Sequence, residues 1–230
     1  MILCINNFLE SATITVNQGN NLFPAENLYS PTLHGEEGVC AYTDNIVIDL
    51  ITAKQITAIG ILRTSASVTV EANNTDSWST PAYSINMDED VKIINETYRY
   101  WRVKTAESGL QYIGQFYLGI PLSADYAQAG SVPSVQVSDV ENTGATGRWF
   151  ATKGIEKFIQ SFTVSTASEV EYTEWYNYYV SDERIKPCIF TQYEETQGGI
   201  YPAYFARVKF QADGRDRLNY RFNFDLMEVT

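Results

Sequence analysis

Short runs in which apolar and polar residues alternate recur through the first half of this chain, and each ends in a polar or glycine-bearing turn. Ala12, Ile14 and Val16 stand between Thr13, Thr15 and Asn17. Residues 67–72 (SVTVEA) alternate cleanly, and 45–50 (NIVIDL), 55–63 (QITAIGILR, apolar at Ile56, Ile59 and Ile61) and 112–118 (YIGQFYL) are further short strand-like runs. In residues 99–104 (RYWRVK), Tyr100 and Arg102 share one face while Trp101 and Val103 share the other, which makes Trp101 a core residue. A period of two is the mark of a pleated strand with one buried face. Several such strands in quick succession predict a mainly β chain, an antiparallel sandwich or barrel. The aromatic content agrees: with 16 Tyr against 3 Met, the chain favours residues that suit half-buried pleated surfaces and interfaces. A length of 230 residues accommodates one large β domain or two small ones.

Between the first two strands, residues 19–31 are rich in Asn and Pro, and Pro24 opens a single helical turn over residues 24–28 (PAENL). Residues 119–147 change character: Gly119, Pro121, Gly130, Pro133, Gly144 and Gly147 mark a boundary, with one edge strand at 134–140. The second unit begins near Arg148 with an apolar run over 155–164. It contains the best helix of the chain, capped by Ser168 with Glu171 three residues on. Tyr172, Tyr176 and Tyr179 fall at i, i+4 and i+7 beside Trp175, an aromatic stripe expected to pack on the sheet of this unit. Pro187 prevents further helix, and strands are expected at 188–193, 204–211 and 218–229. The Asp-Gly step in Ala212-Asp213-Gly214-Arg215 predicts the hairpin turn between the last two.

The net charge of −12 repels phosphate backbones, so nucleic acid is not an expected partner; the local basic cluster is confined to Arg215, Arg217 and Arg221. No stretch is long and apolar enough to span a membrane. The first residues lack a basic segment and a cleavage site, so folding in a cytosol is expected, where the sequons at Asn73 and Asn95 carry little meaning. Cys4, Cys40 and Cys188 lie far apart and read as reduced, buried thiols. With a single histidine and no ligand spacing, no metal and no cofactor are expected.

No catalytic residues emerge. His34 stands in a loop (SPTLHGEEG) without a partner nucleophile and reads as a surface residue. Three carboxylate groupings, Glu36 with Glu37, Asp88 with Glu89 and Asp90, and Glu194 with Glu195, consist of neighbours in solvated segments that do not converge on one bond. The run from Met87 to Asp90 is a solvated turn rather than a calcium loop. The chain is therefore expected not to be an enzyme. Trp78 is different: it lies in a polar loop (NNTDSWSTPAY), poorly explained as core, with Tyr83 close by. An exposed aromatic with polar neighbours suits a sugar site. The alternatives are a Trp folded back over the sandwich edge, or one buried in a subunit contact.

The order FPAENL, NIVIDL, ITAIGILR, SVTVEA, a Trp-bearing loop, RYWRVK and YIGQFYLG resembles the discoidin, or galactose-binding-like, jelly-roll sandwich, over residues 1–120. The whole chain, with WFATKGIEKFIQSFTVS, KPCIFTQY and a closing FARVKFQADGRDRLNYRFNFDLMEV, resembles phage tail-tip proteins of siphovirus type. The resemblance implies a discoidin-like β-sandwich (1–120), a connecting segment (121–147) and a small α+β unit with one helix and an antiparallel sheet (148–230). It implies a virion structural protein, a homo-oligomeric ring or adaptor subunit of the tail tip or baseplate, assembled in the host cytoplasm with other tail proteins. The alternative function is a carbohydrate-binding module that helps the virion hold a host-surface glycan, with Trp78 and Tyr83 as the glycan or subunit contacts. No set of sugar-binding loop residues carries over from the family, and its clamping cysteine pair is not present in recognisable form.

Overall fold

The computed structural model describes residues 2–17, 22–29, 39–88, 90–123, 127–129, 134–137, 140–143, 149–152, 156–166, 168–181, 188–191, 204–216 and 219–228. The strands of the first half are β1 (Ile2–Cys4), β2 (Thr13–Val16), β3 (Cys40–Tyr42), β4 (Asn45–Thr64), β5 (Val68–Asn73), β6 (Tyr83–Met87), β7 (Val91–Thr105), β8 (Gln111–Gly119) and β9 (Leu122–Ser123). Then come β10 (Ala127–Ala129), β11 (Ser134–Val137), β12 (Val140–Thr143), β13 (Trp149–Thr152), β14 (Glu156–Thr166) and helix α1 (Glu169–Val180). The last are β15 (Cys188–Thr191), β16 (Tyr204–Asp216) and β17 (Asn219–Glu228). The chain is mainly β and forms two compact units, Met1–Ser123 with Cys188–Tyr204, and Ala124–Pro187 with Phe205–Thr230.

The first unit is an antiparallel, sandwich-like arrangement built on β4. The N-terminal part of this strand lies between β2 and β7, with Ile48 opposite both Ile14 and Trp101. Strands β5 and β6 extend that layer beyond β7. The C-terminal part lies between β8 and the start of β7, with Ile59 opposite Leu118 and Lys92, and β3 flanks β8. Ile48, Val70 and Trp101 from the first layer and Ile59, Ile113 and Phe116 from the second enter one buried cluster. Strand β1 pairs separately with β15 and β9, placing Leu3 opposite Phe190 and Leu122. Asn7 ties the N-terminal segment to β8, its amide donating to the Phe116 carbonyl at 2.7 Å and its side-chain oxygen accepting from the Leu118 N–H at 3.2 Å. Gly119 is required at its position, because a Cβ there would lie 2.7 Å from the Tyr117 hydroxyl.

The expected strands at 45–50 and 55–63 are one continuous strand. Two register shifts, at Asp49/Lys54 and Ile56/Ala58, let it bend without losing its partners. At the first, Ile51 takes φ 69° and donates its N–H to the Asp49 carboxylate at 2.8 Å, an uncommon conformation for a β-branched residue. Strand β7 begins at Val91 rather than at residue 99. Strand β6 went unread in the sequence, although half-buried Tyr83, Ile85 and Met87 alternate there with exposed Ser84 and Asn86. The helical turn at 24–28 is a 3-10 turn over Ala25–Leu28. The three cysteines are free and buried, and burial pushes the Cys40 and Cys188 thiols up to about 12.

In the second unit, β14 pairs with β10 and β11 on one edge and β17 on the other, and β17 pairs with β16; β12 and β13 form a separate ribbon. Among the described residues α1 is the one α-helix, and Ser168 caps it by accepting the Glu171 N–H at 3.3 Å. The expected stripe is rotated. Trp175 and Tyr178 are the buried residues of the helix, whereas Tyr176 is 41% exposed. Tyr172 and Trp175 stack on Phe222 at 5.4 and 6.1 Å between ring centroids. The hairpin also differs from expectation: Asp213 and Gly214 lie within β16, opposite Phe222 and Arg221, and the strands close at Asp216 opposite Asn219. The ladder shifts register once, between Phe210 and Ala212, and Asp213 and Gly214 beyond it pair in regular register.

Trp101 is fully buried at the meeting of β4, β5 and β7. Trp101→Ala is expected to lower stability by about 3–5 kcal/mol, read as the shift in a urea unfolding curve; a loss below about 1 kcal/mol would remove this residue from the centre of the core.

Candidate functional site

The two faces of β5 and β7 have opposite characters. Val70, Ala72, Trp101 and Val103 point inward and are fully buried. Thr69, Glu71 and Asn73 of β5 lie opposite Lys104, Arg102 and Tyr100 of β7 on the outer face. Glu71 is nevertheless only 6% exposed. It escapes solvent because Arg102 covers it, donating from Nε to Oε2 at 2.8 Å and from Nη2 to the same oxygen. Lys104 approaches the other oxygen at 4.0 Å. A carboxylate removed from water needs such partners, or its desolvation would destabilise the sheet.

The loop over residues 74–82 returns across this face. Asn73 anchors its start by donating to the Ser77 carbonyl at 2.8 Å, and Ala82 closes it by donating its N–H to the Ala72 carbonyl at 3.1 Å. Trp78 is thereby laid over Arg102, its ring centre 4.6 Å from the guanidinium carbon, while its indole N–H donates to Asp76 at 2.7 Å. Carboxylate, guanidinium and indole form three tiers: the ion pair fixes the arginine, and the arginine attracts the ring face. Trp78 remains half-buried, an aromatic surface with Asn73, Asp76, Arg102 and Lys104 as nearby donors and acceptors.

Tyr83 has a different setting. It stacks on Tyr98 at 6.5 Å and meets Trp101 edge-on at 6.2 Å, packed against the buried cluster. Burial first, and then the charge of Glu96, raises its hydroxyl pKa. The structure therefore places Trp78 on the outer face and Tyr83 on the inner one. His34, Glu36, Glu37, Glu89, Glu194 and Glu195 lie outside the described residues. Asp88 and Asp90 are exposed, and Asp88 pairs with Lys92. Among the described residues no group of three His, Cys, Asp or Glu side chains is placed to hold a metal ion, and no helix is long and apolar enough to cross a membrane. Glu71 and Arg102 went unremarked in the sequence as site residues. Their faces were readable from alternation, but their pairing is a matter of strand register.

No protein-family model matches the sequence, and no curated protein does. Among solved structures, a GH29 fucosidase of Ruminococcus gnavus, a mutant in complex with fucose, is similar over 50% of this chain at 19% identity and a TM-score of 0.37. This chain spans only 26% of that enzyme. The module CpGH89CBM32-6, produced by Clostridium perfringens, is similar over 49% of this chain and 98% of its own, at 18% identity and a TM-score of 0.38. The lectin binding domain of Lectinolysin, complexed with Lewis b, is similar over 49% of this chain and 94% of its own, at 11% identity and a TM-score of 0.39. Likeness at this level assigns no function.

The three tiers make a thermodynamic prediction. Arg102→Met strands a buried carboxylate and is expected to cost about 3 kcal/mol, whereas adding Glu71→Gln restores a substantial part of the loss. Denaturant midpoints of the two single variants and the double variant measure the coupling; strictly additive losses would show that the pair is not energetically linked.

Proposed function

We propose that the first unit is a glycan-binding module that holds a sugar against Trp78. The observation that carries this reading is the position of the indole, held over the Arg102–Glu71 pair on the outer face instead of in the core. A sugar presents an apolar C–H face that suits an aromatic ring and a hydroxyl rim that suits polar side chains. Both are offered here: Arg102 and Lys104 supply donors, Asp76 supplies acceptors and Asn73 supplies both. A ring fixed before the ligand arrives loses little entropy on binding. The role is binding, with no chemical step.

A second reading, a virion ring or adaptor subunit assembled in the host cytoplasm, is favoured by the exposed apolar residues of α1. Val170 is 70% and Val180 55% exposed, and Tyr176 lies between them in sequence; such residues suit subunit contacts. The two readings are compatible, since a ring subunit can present a glycan-binding face.

On a glycan array, wild-type protein is expected to bind sugars, and Trp78→Ala to weaken that binding on the order of tenfold or more, with Trp78→Phe retaining most of it. Binding unaffected by Trp78→Ala, or no binding by the wild type, would refute the glycan reading. Light scattering of the purified protein at several concentrations tests the second: a closed multimer is expected, and a monomer throughout that also ignores other tail proteins would discard it.

A further inference from the structure

The outer face carries a second ring built like the first. Tyr100 lies two residues before Arg102 on β7, with the same side-chain direction, so the two positions stand about 7 Å apart along the strand. The Arg99 guanidinium carbon lies 4.7 Å from the Tyr100 ring centre. Arg99 is in turn held by Asp49 of β4, donating from Nε to one carboxylate oxygen at 2.7 Å and from Nη2 to the other at 2.8 Å. The bidentate bond holds the Asp49 carboxyl below the usual carboxylate range. On a regular strand Arg99 would point away from Tyr100. It reaches the outer face here because the ladder shifts register at Asp49/Lys54, where Ile51 adopts its left-handed conformation against Asp49. Tyr100 is half-buried, and it lies opposite Asn73, the residue that anchors the Trp78 loop.

We infer that Tyr100 is a second subsite of the same glycan surface, and that the ligand is an uncharged linear sugar chain lying across Trp78 and Tyr100. This rests on the glycan reading above and deepens it. Two rings, each braced by an arginine bridged to a carboxylate, offer two stacking positions on one sheet face, and the spacing of about 7 Å between Tyr100 and the Arg102 beneath Trp78 suits successive units of a chain. The bracing charges are matched, Arg99 by Asp49 and Arg102 by Glu71. The patch therefore offers hydrogen bonds without a net field, on a chain whose net charge of −12 disfavours anionic ligands.

An array printed with neutral sugars singly and as linear chains, beside sulfated and uronic-acid chains, tests this. Wild-type protein is expected to bind neutral chains on the order of tenfold tighter than the corresponding single sugar. Tyr100→Ala and Tyr100→Leu are expected to lose that preference, and Tyr100→Phe to keep it. Thermal melts identify any variant that fails to fold, and the leucine variant keeps apolar cover on the sheet. Equal binding of single sugars and chains, a chain preference untouched in folded Tyr100→Leu, or a preference for the anionic chains would overturn the second subsite. If Trp78→Ala abolishes binding while Tyr100→Leu does not, the first site stands alone; if the wild type binds nothing, the glycan reading itself fails and this inference with it.

Discussion

A strand of 20 residues, β4, is far longer than one twisted layer usually accommodates. Its bend at Asp49/Lys54 and Ile56/Ala58 decides the first unit. By changing partners along its length, β4 supplies an interior strand of one layer and then an interior strand of the other. Ile48 and Ile59, near its two ends, enter the same buried cluster for that reason. Strand β7 follows β4 through the bend, so Ile94 and Tyr98 pack on the core before the shift, and Trp101 and Val103 after it. The bend is thus a device for folding one ladder into two facing layers, and it leaves unusual backbone, Ile51 with φ 69°, at the corner.

The same bend shapes the outer face. Where the alternation breaks, Arg99 comes round to Asp49 and braces Tyr100; where it is regular, Arg102 covers Glu71 and supports Trp78. A buried carboxylate on a solvent-facing sheet is a costly arrangement unless fully paired. Here the pairing also orients an indole that has no place in the core. Under the proposed glycan reading, structure and recognition share one set of groups, with Trp78 at the outermost tier.

The sequence made some of this legible and hid the rest. Alternation in RYWRVK assigned Trp101 inward and Arg102 outward, and the structure agrees. It could not show that the runs at 45–50 and 55–63 join, because Ile51-Thr52-Ala53-Lys54 between them interrupts the alternation and the bulge is sustained by partners on β7 and β8. The Asp-Gly step near the C-terminus has the chemistry of a hairpin turn, yet the pairing of Phe222 with Asp213 and of Phe210 with Phe224 carries the ladder past it. The helix was legible from its cap, but its buried side was not. A face crowded with aromatics gives several nearly equivalent directions, and contact with Phe222 selects Tyr172 and Trp175 over Tyr176.

What the sequence alone determined is the class of the chain: mainly β, acidic, with Trp101 inside and Trp78 in a polar loop. Those properties follow from composition and period, which are local. The tertiary structure decided the neighbours. That Glu71 meets Arg102, that Asp49 meets Arg99, and that Trp78 and Tyr83 part to opposite faces all depend on strand register. Register is set by how the buried residues of several strands pack at once, and no single strand's alternation contains that information.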